Sequence, residues 1–399
     1  MLARDAIEPG LLVVSALLPW FGGLSIDRSL AIATTIYCST CFCFTFFSGE
    51  AHSASVSSVS TFAAALTIQL LPGAGVPPVV SICIFIVLIA WTYLRLVRIV
   101  PPAGSLSRLD GKVVVVTGSS AGLGESTAQQ LLGLGATVVF ACRSESRARA
   151  AMQRACKASG APVDHALFIR LDMASCDSIR ECARQVCGLT KGRLDALVCN
   201  AGAMSRERQL TCEGWEHNLA CHALGHHLLA QLLLPALLRS SGRIVAVSSC
   251  LHRKANAAEM LADPMSERTY GMFDTYARSK LMQVILTNEL HRRYAADGLV
   301  CTSLHPGNSI TEVTRGFHPA VRRLYDAFHF FLRCVQTPVA DGAVTTVFAV
   351  ASARPGELCG AYLERCTPVA PVTAAIDETV GRCAWELSER LLAPWAKPL

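Results

Sequence analysis

Two patterns of apolar residues divide this chain. From residue 112 onward, short runs rich in β-branched residues recur, each followed by a longer stretch of helical periodicity. Lys112–Thr117 (KVVVVT) and Ala136–Ala141 (ATVVFA) read as buried strands. Ala166–Leu171, Leu194–Cys199, Arg243–Val247 and Leu299–Leu304 continue the series. Strands that alternate with helices build a parallel sheet covered on both faces, so the expected fold is α/β, a doubly wound, Rossmann-like parallel sheet. Before residue 100 the pattern is different. No charge falls between Ser29 and Gly49, and VVSICIFIVLIAWTYL, ending at Leu94, is the most hydrophobic run in the chain. Gly10–Ile26 and Val56–Leu71 are weaker apolar runs. Runs of this length match membrane-crossing helices. A helical membrane segment of two to four spans is therefore expected in residues 1–100, a linker in 101–110 (with Pro101, Pro102 and Gly104), and a globular domain in 111–399.

Composition sharpens the division. Of the 36 Lys and Arg and 30 Asp and Glu residues, eight fall in the first hundred positions. A mean hydropathy of +0.39 excludes a disordered chain. The net charge of +6 comes without a Lys/Arg block, so no nucleic acid is expected as a partner. Arg95, Arg98, Arg108 and Lys112 follow the last apolar run, and by the positive-inside tendency they keep the globular part in the cytosol. The 18 cysteines show no paired CxxC frame; they read as reduced thiols, and no metal site is expected.

Candidate chemistry begins after the first strand. Thr117-Gly118-Ser119-Ser120-Ala121-Gly122-Leu123-Gly124 lies directly between a strand and a helix. Glycines there let the backbone approach a pyrophosphate, and the helix start offers free N–H groups to the anion. The second strand ends Cys142-Arg143-Ser144, with no carboxylate to grip a ribose 2′-hydroxyl. Arg143 matches a 2′-phosphate instead, which makes NADP(H) the expected cofactor. Tyr276 and Lys280 are four apart and share one helix face. A lysine charge favours the phenolate, and a tyrosine so tuned exchanges a proton while hydride moves.

These motifs, together with Asn200-Ala201-Gly202 after the fourth strand and Tyr276-Ala277-Arg278-Ser279-Lys280, resemble the short-chain dehydrogenase/reductase family, in the family's order. FACR, LVCN, NELHRR and HPGN resemble its retinol dehydrogenase branch. The resemblance implies an NADP-dependent catalytic domain over residues 111–399. It implies cofactor contacts from Gly118, Ser119, Ser120, Gly122, Leu123, Gly124, Arg143, Tyr276 and Lys280, with Asp172 beside the adenine and Asn200 and Ala201 lining the cleft. Pro306, Gly307 and Thr311 resemble the PGxxxT loop at the nicotinamide end. Ser249, the second of the pair Ser248-Ser249, is the implied carbonyl-holding donor, with Ser248 as the alternative. One departure stands out. Where the family has the Asn of NxxG, which anchors a relay water, this chain has His222. His222 is thus the expected catalytic substitute, with Asn218 one turn earlier as a partial one; His227 reads as core or surface.

Val321–Arg333 (VRRLYDAFHFFLR) follows that loop, where the family places a variable lid, and it interleaves aromatics with arginines. A lid packed on the core is one reading; the sharper one has it dip into a bilayer surface. Thr211–Trp215 and Met260–Phe273 are expected as loops around the same cleft. The expected partners are a lipophilic small molecule (retinoid, steroid or fatty aldehyde), membrane lipid and a second copy in a homodimer. The expected location is the endoplasmic reticulum membrane. A catalytically weak or inactive nucleotide-binding scaffold is the alternative: Ser249, Tyr276 and Lys280 favour the enzyme, and His222 favours the scaffold.

Overall fold

The structure is a computed structural model and describes residues 99–307 and 338–397. The apolar runs before residue 99, Thr311 and the Val321–Arg333 segment lie outside the described residues.

All six expected strands form, their ends shifted by at most two residues: β1 (Val113–Thr117), β2 (Thr137–Cys142), β3 (Ala166–Arg170), β4 (Ala196–Cys199), β5 (Arg243–Val247) and β6 (Val300–His305). Between them run α1 (Gly122–Gly133), α2 (Glu145–Ser159), α3 (Cys176–Leu189), α4 (His217–Leu238), the short α5 (Ala257–Ala262) and α6 (Met272–Tyr294). After α6 and β6 come α7 (Val339–Ala351), β7 (Tyr362–Glu364), β8 (Thr367–Val369) and α8 (Glu378–Leu392). The sheet order is β3-β2-β1-β4-β5-β6-β7-β8, parallel throughout except for β8. Pleating sends alternate side chains to opposite faces. Val115, Val139, Leu197 and Ile244 join α3, α4, α6 and α8 in one core; Val114, Val138, Val198 and Val245 join α1, α2 and α7 in the other.

Three features depart from the sequence reading. The β7–β8 hairpin has no counterpart in it, because its turn residues Arg365 and Cys366, at φ of 52° and 62°, lack the Gly or Asn that usually marks a primed turn. Residues 101–110 are not a free linker: Ser107 N–H donates to Ala351 O and Ala353 N–H to Ser105 O, both at 2.8 Å, while Ile99 and Leu109 are buried. Met260 and Phe273 fall in helices, α5 and α6, with only the stretch between them looped. Helix α4 is long and apolar enough to cross a bilayer, yet it is buried in the first core. Its start is fixed by Glu216, fully buried, whose carboxylate accepts from Asn218 N and Leu219 N at 2.9 and 2.8 Å. A π turn over Ala220–Leu224 follows.

Helix α8 closes the outer side of α4 and α6. Trp385 lies edge to face with His227, centroids 4.7 Å apart, and the Arg293 guanidinium sits 4.1 Å from the Trp385 ring centre. Among the described residues, the carboxyl ends of β1 and β4 stay open. Strand order reverses between β1 and β4, and helices leaving these neighbours diverge to opposite faces, so a crevice forms beyond their carboxyl ends.

Candidate active site

That crevice is a cleft of about 440 Å³. Of the residues expected in the site, Gly118, Ser120, Gly122, Leu123, Gly124, Arg143, Asp172, Asn200, Ala201, His222, Ser249, Tyr276, Lys280, Pro306 and Gly307 all line it. Ser119 does not. It is fully buried and its hydroxyl donates to Val116 O at 2.9 Å, which turns the side chain under the loop. Asn218 is likewise absent from the lining, with its Oδ1 accepting from Ser205 N at 3.3 Å. The expected loops Thr211–Trp215 and Met260–Phe273 contribute no lining residue among the described ones.

The glycine loop is bare backbone by necessity. Gly118 has φ of 67°, and a methyl group there would lie 2.9 Å from Ala201 Cα; one at Gly124 would lie 2.5 Å from both Asn200 Nδ2 and Gly118 O. Neither position admits a Cβ, so bare backbone packs on Asn200 and Ala201 beside the start of α1, whose free N–H groups fit a pyrophosphate. At the end of β2 the sequence reading missed Arg147, which lines the cleft with Arg143 from the first turn of α2.

Thr117 was also missed, although it ties the cleft floor together. Its hydroxyl oxygen accepts from Asn200 N and Ala201 N, both at 2.9 Å, and lies 2.9 Å from His226 Nε2. His226 Nδ1 faces His222 O at 3.1 Å and must carry the ring proton; Nε2 is then the acceptor and Thr117 the donor. Burial pushes His226 down to about 3, which keeps it neutral for this arrangement. Asn200 completes the joint, its Nδ2 donating to Thr117 O at 2.8 Å.

At the other end, Ser249 and Tyr276 line the cleft together, with Ser249 Oγ accepting from Leu251 N at 3.2 Å, whereas Ser248 Oγ donates to Lys280 O at 3.0 Å. Lys280 Nζ donates to Val247 O at 2.8 Å and lies 5.8 Å from the Tyr276 ring centre. Burial dominates both groups. It pushes Tyr276 up to about 12 and Lys280 down to about 7, so each is driven toward its neutral form. His222 is fully buried and edge to face with Tyr276 at 5.3 Å. Its Nε2 accepts from Ala203 N at 3.0 Å, and its Nδ1 donates to Ser279 Oγ at 2.8 Å, whose hydrogen goes to Tyr276 O. Both ring nitrogens are thereby engaged within the protein.

A family model described as short chain dehydrogenase matches residues 112–321. Retinol dehydrogenase 14 of Mus musculus is 36% identical over 300 residues, 72% of this chain and 87% of its own length. The WW domain-containing oxidoreductase of Danio rerio is 34% identical over 301 residues, 73% of this chain and 70% of that protein. Among solved structures, an uncharacterized protein of Mycobacterium paratuberculosis is similar with a TM-score of 0.58 and 28% identity, over 72% of this chain and 96% of that one.

Thr117→Val keeps the shape of the side chain but leaves Ala201 N–H and His226 without their partner, while Asn200 N–H keeps Val198 O at 3.0 Å. Burying such groups unpaired costs roughly 1–3 kcal/mol each, so a loss of about 3 kcal/mol is expected in denaturant unfolding, with Thr117→Ser nearly neutral. Equal stability of Thr117→Val and wild type would remove the joint from the account.

Proposed function

Because this chain belongs to the short-chain dehydrogenase family, we propose that it transfers a hydride between NADP(H) and a lipophilic alcohol or carbonyl. The observation that carries this reading is the meeting of Ser249, Tyr276 and Lys280 at one end of a cleft whose other end is the glycine loop. The nicotinamide cofactor supplies or takes the hydride. Gly118, Ser120, Gly122, Leu123 and Gly124 would hold its pyrophosphate, Asp172 its adenine side, Asn200 and Ala201 the middle, and Pro306 and Gly307 the nicotinamide end. Ser249 holds the substrate oxygen, and Tyr276 moves the proton at that oxygen. With its phenol pushed up to about 12, Tyr276 is a proton donor at neutral pH, which suits carbonyl reduction.

Arg143 and Arg147 lining the cleft support NADP(H) over NAD(H): two guanidinium groups at the start of α2 suit a 2′-phosphate. That the mouse relative is a retinol dehydrogenase supports a retinoid within the lipophilic class. The same proposal includes membrane anchoring through residues 1–100, with the catalytic domain on the cytosolic side of the endoplasmic reticulum, as the charge-free runs favour. A second reading, a nucleotide-binding scaffold with little turnover, is favoured by one observation, the engagement of both His222 nitrogens.

Three outcomes are expected. In single-turnover assays with NADPH and retinal, Tyr276→Phe abolishes hydride transfer while cofactor binding stays near wild type; wild type and variant both inert would select the scaffold. Arg143→Ala weakens NADPH binding by about 1.5–3 kcal/mol, roughly ten- to a hundredfold, and leaves NADH unchanged. Equal affinity of wild type for the two cofactors would refute the preference. A chain beginning at Ile99 keeps the packed residues 99–110 and is expected to leave the membrane on alkaline carbonate extraction; retention would show that the anchor lies elsewhere.

A further inference from the structure

An ammonium has three hydrogens to donate. Lys280 gives one to Val247 O, and a second goes to Gln283 Oε1 at 3.1 Å. Gln283 lies three residues further along α6, on the same face, and is 3% exposed. Its amide must keep its oxygen toward Lys280, since a flipped amide would aim N–H groups at the ammonium. The contact that opposes the flip within the protein is weak: Gln283 Nε2 reaches Cys199 O at 3.4 Å.

Behind Gln283, on the side away from the cleft, lies an internal cavity of about 20 Å³. Every residue lining it is buried. Gln283 and Thr287 border it from α6, His226 and His227 from α4. A volume of this size accommodates one water, given polar partners. His227 supplies one, beside Gln283 and Thr287 on the same cavity. It is 3% exposed, and neither ring nitrogen has a hydrogen-bond partner, while Trp385 lies edge to face with the ring. A buried imidazole in this condition points to a bound polar molecule within reach.

We propose that Gln283 is a positioning residue that holds the Lys280 ammonium, and that one water bound by His227 in this cavity fixes the orientation of the Gln283 amide. The assignment rests on the reading of Lys280 and Tyr276 given above. Seen from Lys280, the facing titratable groups are Tyr276 on its own helix, His222 and His226 on α4, and Cys199 on β4. Burial holds both histidines neutral and pushes Cys199 and Tyr276 each up to about 12. Lys280 alone, at about 7, titrates near neutrality. An oxygen acceptor favours its charged form, so loss of Gln283 lowers the Lys280 midpoint and a carboxylate in its place raises it.

Competitive acetylation by acetic anhydride across pH, read at Lys280 by mass spectrometry on the full-length protein without cofactor, measures that midpoint directly. The wild-type midpoint is expected near 7. Gln283→Leu, with Gln283→Met as the alternative if it unfolds, should lower it by about one pH unit or more. Gln283→Glu should raise it. His227→Phe, whose ring offers no nitrogen to a water, should lower it by less than Gln283→Leu. Unmoved midpoints in folded Gln283 variants, or a downward shift in Gln283→Glu, overturn the positioning role; an unmoved midpoint in His227→Phe overturns the water link. The labelling needs no turnover. Shifted midpoints in an inert protein would fail the dehydrogenase reading alone, and unmoved midpoints in an active one would fail this inference alone.

Discussion

The site depends on one hydroxyl group. Sequence order keeps the end of β1, the end of β4 and the first turns of α4 apart, and the crevice exists because their paths diverge there. Divergence alone would leave a loose joint. Thr117 closes it by accepting two backbone N–H groups from Asn200 and Ala201 and donating to His226. The His226 ring in turn donates to the carbonyl of His222. A chain of four hydrogen bonds, two of them fully buried, thus carries the position of the glycine loop across to the helix that packs on Tyr276. The His222 carbonyl fixes the His226 tautomer, and the Thr117 hydroxyl hydrogen has two acceptors in reach, His226 Nε2 at 2.9 Å and Val198 O at 3.2 Å.

Desolvation is the second organising effect, and it acts on the whole reacting end at once. The same burial that makes Tyr276 a poor acid makes Lys280 a poor base, so near neutral pH the pair rests close to uncharged. Histidines 222, 226 and 227 are held neutral for the same reason, and neutrality is what lets 222 and 226 accept at Nε2. Few charges therefore compete with the one group that titrates in the working range. The arrangement favours small shifts in hydrogen bonding over added ion pairs as the means of adjusting reactivity.

Much of this was legible in the sequence. The β-branched runs located six strands because buried parallel strands need continuous apolar character, and the glycine spacing located a cleft-lining loop of bare backbone because Gly118 and Gly124 admit no Cβ. The four-residue step from Tyr276 to Lys280 fixed their shared face. What escaped depended on contacts without a local signature. Thr117 looks like the last residue of a strand; only the fold brings Asn200 and His226 to it. Ser119 sits in the motif yet turns beneath it, because its hydroxyl satisfies the Val116 carbonyl. The β7–β8 turn is made by Arg365 and Cys366, which carry none of the usual turn chemistry, and the Pro-Pro-Gly stretch that reads as a linker is pinned by pairing with residues more than two hundred positions away.

The placement of α8 has a consequence for biosynthesis. Helices α4 and α6 are apolar on several sides, and their outer flank is covered by Ala384, Trp385, Leu387 and Leu392, near the end of the chain. Strand β7 likewise joins the sheet only after β6 and the long segment beyond it have been made. At translation rates of about 5–20 residues per second, the roughly one hundred residues separating α6 from the end of α8 take on the order of five to twenty seconds to emerge. During that interval the nascent domain carries Ser249, Tyr276 and Lys280 beside an uncovered greasy flank. Truncation or premature termination near the C-terminus would therefore yield a sticky, chaperone-dependent species rather than a shortened enzyme, even though no residue of the cleft is lost.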